Sequence, residues 1–321
     1  MKYIKKIIVF VVLLEVLHLV IGLFFNGMDT FLPLTGFNDP PLYYDMDSLW
    51  GVTRQKNTKQ MMSYPWGGVV NEINSYGFRD DEFNKEGMLV LGNSFVEGYG
   101  MKNESRFSEV LEEKLGVPIN NAGSGGVWTP IQGVVLLEHL LKTEKLKFDK
   151  IVFIMTPGEV VNIGKRNPKT DPSRSFPYRE GDDIVFYKAK YASFGNSMSL
   201  PSKVKRFSKS LLLFKIYNTF KYYGTAKGKK EDFDYDKQKL DWLLSKLEEL
   251  ELKQTVEIVV INDLGKLHIN DIAEYKSNSE GINFNVVQYP AGLSNYFVSN
   301  GHLSEKGNEV LAELLLPIFK K

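Results

Sequence analysis

The sequence predicts an α/β domain built on a parallel sheet with helices on both faces. From Met88 onward, short apolar strand candidates alternate with longer segments of helical spacing, the pattern of β-α units. Polar or glycine-rich residues follow several of the strand candidates, and open α/β sheets bind ligands outside those carboxyl ends.

In chain order, the first strand candidate is the apolar run at 88–91, closed by Gly92, Asn93 and Ser94. Residues 104–115 have helical spacing, with Glu109, Glu112 and Glu113 on the polar side. A second strand at 117–120 leads into Ala122-Gly123-Ser124-Gly125-Gly126, and 130–145 reads as helix. The third strand, at 150–155, is followed by Thr156-Pro157-Gly158-Glu159. Helix at 234–252, strand at 256–261 and a weaker strand at 283–287 complete the alternation. Residues 304–316 close it as an amphipathic helix, with Ser304 as N-cap and Pro317 as stop signal.

The chain has 321 residues, 43% hydrophobic and 25% charged, which fits one folded main domain at 88–321. A net charge of +1 exerts no global pull on nucleic acid, and no nucleic-acid motif is present. With 0 cysteines, disulfides, thiolate catalysis and cysteine-ligated metals are excluded.

The first segment, 1–25, reads differently. Lys2, Lys5 and Lys6 precede a largely apolar run at 7–25, close to the roughly 20 residues that cross a bilayer as a helix. The basic flank predicts a cytoplasmic N-terminus, hence a single-pass protein of the cytoplasmic membrane with its main domain outside. The first alanine is Ala122 and cysteine is absent, so an uncleaved signal anchor is expected rather than a cleaved signal or lipoprotein. Glu15 and His18 share a face of this segment at i,i+3 spacing, as a tolerated pair or a contact for a partner helix.

Residues 26–87, rich in Gly, Pro, Asn, Asp and aromatics, read as an extended connector packed on the domain, with a turn cluster at 74–77. Within the main domain the alternation lapses at about 165–233, a basic and aromatic cap insertion containing one hairpin arm at 183–190. Lys203, Lys205, Arg206 and Lys209 belong to a stretch whose charged residues are all basic. It suits an anionic lipid or polymer, or equally a solvated lid.

Ser94 at a strand end is a candidate nucleophile, and His302, just ahead of the last helix, a candidate base. Such chemistry also needs a group orienting the base and donors for an oxyanion, which the 122–126 turn can offer as backbone amides. His139 and His268 read as ordinary helix or loop histidines.

Four ordered blocks carry a resemblance: residues 74–80 (NSYGFRD), 89–100 (LVLGNSFVEGYG), 121–126 (NAGSGG) and 300–307 (NGHLSEKG). Together they resemble the SGNH/GDSL hydrolases, particularly the membrane-anchored bacterial branch, from Asn74 to the C-terminus. The resemblance implies a flavodoxin-like three-layer α/β/α sandwich. It implies Ser94 as nucleophile, His302 as base, and Gly126 with the Ser94 amide as oxyanion donors, with no cofactor or metal. It also implies an ester hydrolase or O-acyl (acetyl) transferase acting on an extracytoplasmic, glycan-linked ester. The alternative is a catalytically degenerate relative that binds an envelope glycan or supports envelope assembly.

The chain departs from the family pattern at three places. Asn93 stands where an aspartate is usual, Thr156-Pro157-Gly158-Glu159 replaces a Gly-Asn-Asp type block, and Asn300, with Ser299 before it, stands where an acid would precede the histidine. In a serine-protease triad the Asp-to-Asn change lowers turnover about 10⁴-fold. Glu97 and Glu159 are therefore candidates to orient His302 or replace the acid.

Overall fold

The computed structural model describes residues 2–26, 44–64, 67–83, 86–125, 128–161, 163–165, 169, 176–188, 237–263, 281–290 and 302–320. The elements in chain order are α1 (Lys2–Asn26), β1 (Tyr44–Asp47), β2 (Gly51–Arg54), β3 (Thr58–Tyr64), β4 (Gly67–Ile73), β5 (Met88–Gly92), α2 (Ser94–Glu97), α3 (Phe107–Leu115) and β6 (Ile119–Gly123). They continue with α4 (Pro130–Glu138), β7 (Lys150–Met155), α5 (Pro157–Val161), β8 (Phe176–Glu180), β9 (Asp183–Tyr187), α6 (Lys237–Glu248), β10 (Thr255–Asp263), β11 (Ile282–Tyr289) and α7 (Glu305–Lys320).

The central sheet has five strands in the order β11-β10-β7-β5-β6, and every pairing is parallel. Counted along the chain this is the 2-1-3-4-5 order of flavodoxin-like folds, whose ligand crevice lies between the first and third strands. Here those are β5 and β7, paired in register from Met88 opposite Lys150 to Gly92 opposite Ile154. Strand alternation divides the core. Leu89, Leu91, Ile151 and Phe153 meet Val134 and Leu137 of α4 and Leu243 and Leu247 of α6. Val90, Val152 and Ile154 meet Phe107 and Leu111 of α3 and Leu311 and Leu315 of α7. The result is the three-layer sandwich that the blocks implied.

Most expected boundaries fall within a few residues of the observed ones, with two informative shifts. The second strand runs over Ile119–Gly123 instead of 117–120, because its interior carries the polar Asn120 and Asn121, both buried. Their amides are satisfied: Asn120 Nδ2 donates to the Met88 carbonyl at 3.0 Å and Asn121 Nδ2 to the Val96 carbonyl at 2.8 Å. The last helix also passes through Pro317 to Lys320, so Pro317 is no stop. Proline removes one helical donor. Burial of Ile318 and Phe319 beyond it holds the turn, and Lys150 Nζ donates to the Ile318 carbonyl at 3.0 Å. Ser304 caps the other end as expected, its Oγ accepting from the Gly307 amide at 3.1 Å.

Residues 26–87 contain two antiparallel hairpins, β1-β2 and β3-β4. The turn cluster follows them. Asn74 Oδ1 accepts from the Tyr76 and Phe78 amides, each at 3.0 Å. At Gly77, with φ 88°, a Cβ would lie 2.1 Å from Thr53 Oγ1, so only glycine lets the turn close on β2. Trp50, Val52, Phe78 and Phe83 are buried. In the cap region, 183–187 pairs with 176–180 as an antiparallel hairpin. Lys203, Lys205, Arg206 and Lys209 lie outside the described residues.

α1 is continuous over 25 residues, and Val9, Phe10, Leu13 and Leu17 are exposed on it. Among the described residues no helix is long and apolar enough to cross a membrane. The side chains of Ile7, Ile8, His18, Leu19 and those from Ile21 to Asn26 are outside that set.

Candidate active site

Ser94 opens α2 directly after β5, at the sheet's switch point, and three features fix it there. Asn93 is the N-cap, its Oδ1 accepting from the Phe95 amide at 2.8 Å. Gly98 ends the short helix in the left-handed region at φ 69°. Backbones pack against the elbow too closely for any side chain: a Cβ on Gly92 would lie 2.3 Å from Val96 Cγ2, and one on Gly123 would lie 2.1 Å from the Glu97 amide nitrogen.

His302 Nε2 lies 2.8 Å from Ser94 Oγ, across 208 residues of sequence. With its proton on Nδ1, the imidazole accepts from the Ser94 hydroxyl, the arrangement a general base needs. The ring is held against aromatic side chains of the same loop, with centroid separations of 4.4 Å to Tyr99 and 5.7 Å to Phe95. Burial pushes the His302 pKa below its ordinary value, and the Glu97 charge pulls it partly back up. The imidazole is therefore mostly neutral at pH 7, ready to accept a proton.

Asn93 and Glu159 form a second polar unit beside the nucleophile. Glu159 closes a capping box on α5: its Oε2 accepts from the Thr156 amide at 2.7 Å and from Thr156 Oγ1 at 3.0 Å. It also accepts from the Asn93 side chain, and burial raises its pKa to about 7 against these hydrogen bonds. An aspartate at 93 could cap α2 but could not donate to Glu159, and would set two carboxylates against each other. The departures at 93 and 159 thus fit one another. This engagement gives Glu159 a local role in place of the expected contact with His302.

Glu97 is more deeply placed. Its Oε1 accepts from Arg54 Nε at 2.8 Å and Nη2 at 2.5 Å, with both side chains at most 3% exposed. Arg54 carried no sequence signal, since it comes from β2, 43 residues upstream. Tyr99 was visible inside the 89–100 block but not as a ring partner for the base.

The 122–126 turn divides. The Gly123 amide donates to Asn121 Oδ1 and the Ser124 amide to the Gly92 carbonyl, each at 2.9 Å. Those two amides serve the strand ends instead of an oxyanion. Gly126 and Asn300 lie outside the described residues, as does His268. His139 is remote from the dyad, its Nε2 3.3 Å from Glu144 and its ring 5.3 Å from that of Trp50.

No protein-family model matches the sequence, and no curated protein matches it. Solved structures resemble it at low identity. A member of the lipolytic G-D-S-L family from Veillonella parvula shares 12% identity with a TM-score of 0.39, over 74% of this chain and 99% of its own. A putative lipolytic protein of the same family from Desulfitobacterium hafniense shares 11% with a TM-score of 0.37, over 73% and 99%. A family 3 carbohydrate esterase from Clostridium thermocellum shares 12% with a TM-score of 0.36, over 73% and 96%.

Proposed function

We propose that the chain is a serine-dependent ester hydrolase or O-acyl transferase of SGNH type. The observation that carries this reading is the 2.8 Å contact between Ser94 Oγ and His302 Nε2 at the switch point of the parallel sheet. In this reading His302 takes the Ser94 proton as Oγ attacks an ester carbonyl. The imidazolium then protonates the departing alcohol, leaving an acyl-serine. Water, or a sugar hydroxyl in a transferase, enters by the reverse sequence. Ser94 opens α2, where the first amides of a helix lack intrahelical partners, so its own N–H is a donor for the developing oxyanion; Gly126 is the second.

The sequence blocks point to an acetyl or other small acyl group on an envelope glycan, presented outside the cell. The exposed apolar side chains of α1 and the lysines before them support membrane anchoring.

The test is covalent labelling by a fluorophosphonate with mass spectrometry of the adduct, run beside hydrolysis of a 4-nitrophenyl acetate probe. The expected result is a single adduct on Ser94, absent in Ser94→Ala. An intact, folded protein that never labels would favour the glycan-binding alternative, which the Asn300 substitution also favours.

A further inference from the structure

We propose that Arg54 is a positioning residue of the active site: it fixes Glu97 so that this buried carboxylate, instead of an acid preceding the histidine, supplies the negative charge that favours protonated His302 during turnover. The proposal rests on the Ser94–His302 reading above and assigns that site its missing acid.

The connector is tied to the loop after the nucleophile by several bonds, and most of them involve no acid on that loop. Arg79 Nη1 donates to the Gly98 carbonyl at 2.7 Å, its Nη2 to the Met101 carbonyl, and its Nε to Asn103 Oδ1 at 3.1 Å. Arg106 returns the contact by donating to the Arg79 carbonyl and, at 3.0 Å, to Asp80 Oδ1. These bonds dock the loop without placing a carboxylate beside the catalytic dyad. The Arg54–Glu97 pair does more than docking requires. Glu97 sits on α2 one turn beyond Ser94, is 1% exposed, and binds Arg54 through one oxygen only. Its Oε2 is buried with no hydrogen-bond partner among the described residues. Buried ion pairs are often replaceable by apolar side chains without loss of stability, so a half-satisfied one is poorly accounted for by stability.

The surroundings of His302 select Glu97. Ser94, Phe95 and Tyr99 meet the ring. Among the described residues Glu97 is the ionisable group whose charge acts on the imidazole, and it favours the protonated form. Glu159 is occupied by Thr156 and Asn93. Arg54 faces Glu97 and keeps the carboxylate in place, so the negative end of the pair is the one His302 senses.

The experiment uses the full chain in lipid nanodiscs. Glu97→Gln keeps a hydrogen-bond acceptor for Arg54 and removes the charge; Arg54→Met/Glu97→Leu replaces the pair by apolar groups. The histidine ring titration is followed by NMR, with His302→Gln assigning the signal, and kcat/KM for the ester probe is measured against pH. The expected result in both variants is a His302 midpoint lower by about one unit and kcat/KM lower by about 10-fold or more, with the acid limb of the profile moved to lower pH. If Glu97→Gln folds and leaves both the midpoint and the profile where they are in the parent, the proposal is overturned. Should the double variant fail to fold, Glu97→Gln decides alone. If the parent never labels at Ser94 but the midpoint still moves, the esterase reading fails while the link between Glu97 and His302 stands.

Discussion

The two strand ends that flank the crevice are built on opposite principles. At the end of β5, glycines at 92 and 123 let backbone approach within distances that no Cβ tolerates, and the elbow is locked by packing. At the end of β7, Gly158 has open space: a Cβ there would meet nothing nearer than Thr156 Oγ1, 4.0 Å away, and the local structure is held by the Glu159 carboxyl. One rim is fixed by shape and the other by a titratable group. The nucleophile's position is thus insensitive to pH while its neighbour's charge is not.

The widest test of this contrast is chemical. Ser94→Ala and His302→Ala should each lower kcat by at least about 10³-fold with little change in folding, measured on the ester probe with thermal unfolding as control. An equal loss from Gly158→Ala would break the distinction between the rims. Next comes packing: Gly123→Ala forces a methyl onto the Glu97 backbone nitrogen and should cost about 1–3 kcal/mol or more. Gly158→Ala should stay within about 0.5 kcal/mol. Chemical denaturation of the two variants side by side decides it.

The smallest effect is electrostatic. Glu159 is raised to about 7 in the folded chain, above its ordinary value of 4.5. A carboxyl raised in this way contributes stability below about pH 4.5 that is lost as pH rises through about 7. Glu159→Gln should therefore gain stability relative to the parent at pH 8 compared with pH 5. Asp80, also raised to about 7, titrates in the same window in both proteins, so the difference between variant and parent is the quantity to read. A parent-minus-variant difference independent of pH would show that Glu159 is not titrating there.

What could be read from the sequence followed the range of the interactions. β5, β7 and β10 were legible because they are short runs of consecutive apolar residues, and Ser94 and His302 because each lies in an ordered block. β6 was misplaced by two or three residues because Asn120 and Asn121 look like a strand's end, yet their amides find partners inside the core. The hairpins at 44–73 were hidden because their β-formers are interleaved with Gly, Asn and Lys. The Arg54–Glu97 pair left no local trace, since neither residue's surroundings specify a partner 43 positions away. The fit between Asn93 and Glu159 had the same cause: two departures that look independent along the chain become one hydrogen bond across the crevice.

The 208 residues between the nucleophile and its base also set a clock. At roughly 5–20 residues per second, synthesis exposes the β5 elbow some 10 to 40 s before His302 is made. Through that interval Ser94 has no base to activate it. Only when α7 folds down, with its last turn clasped by Lys150, does the hydroxyl gain its partner. A chain still being threaded past its own substrates would therefore be chemically silent until its final helix is seated.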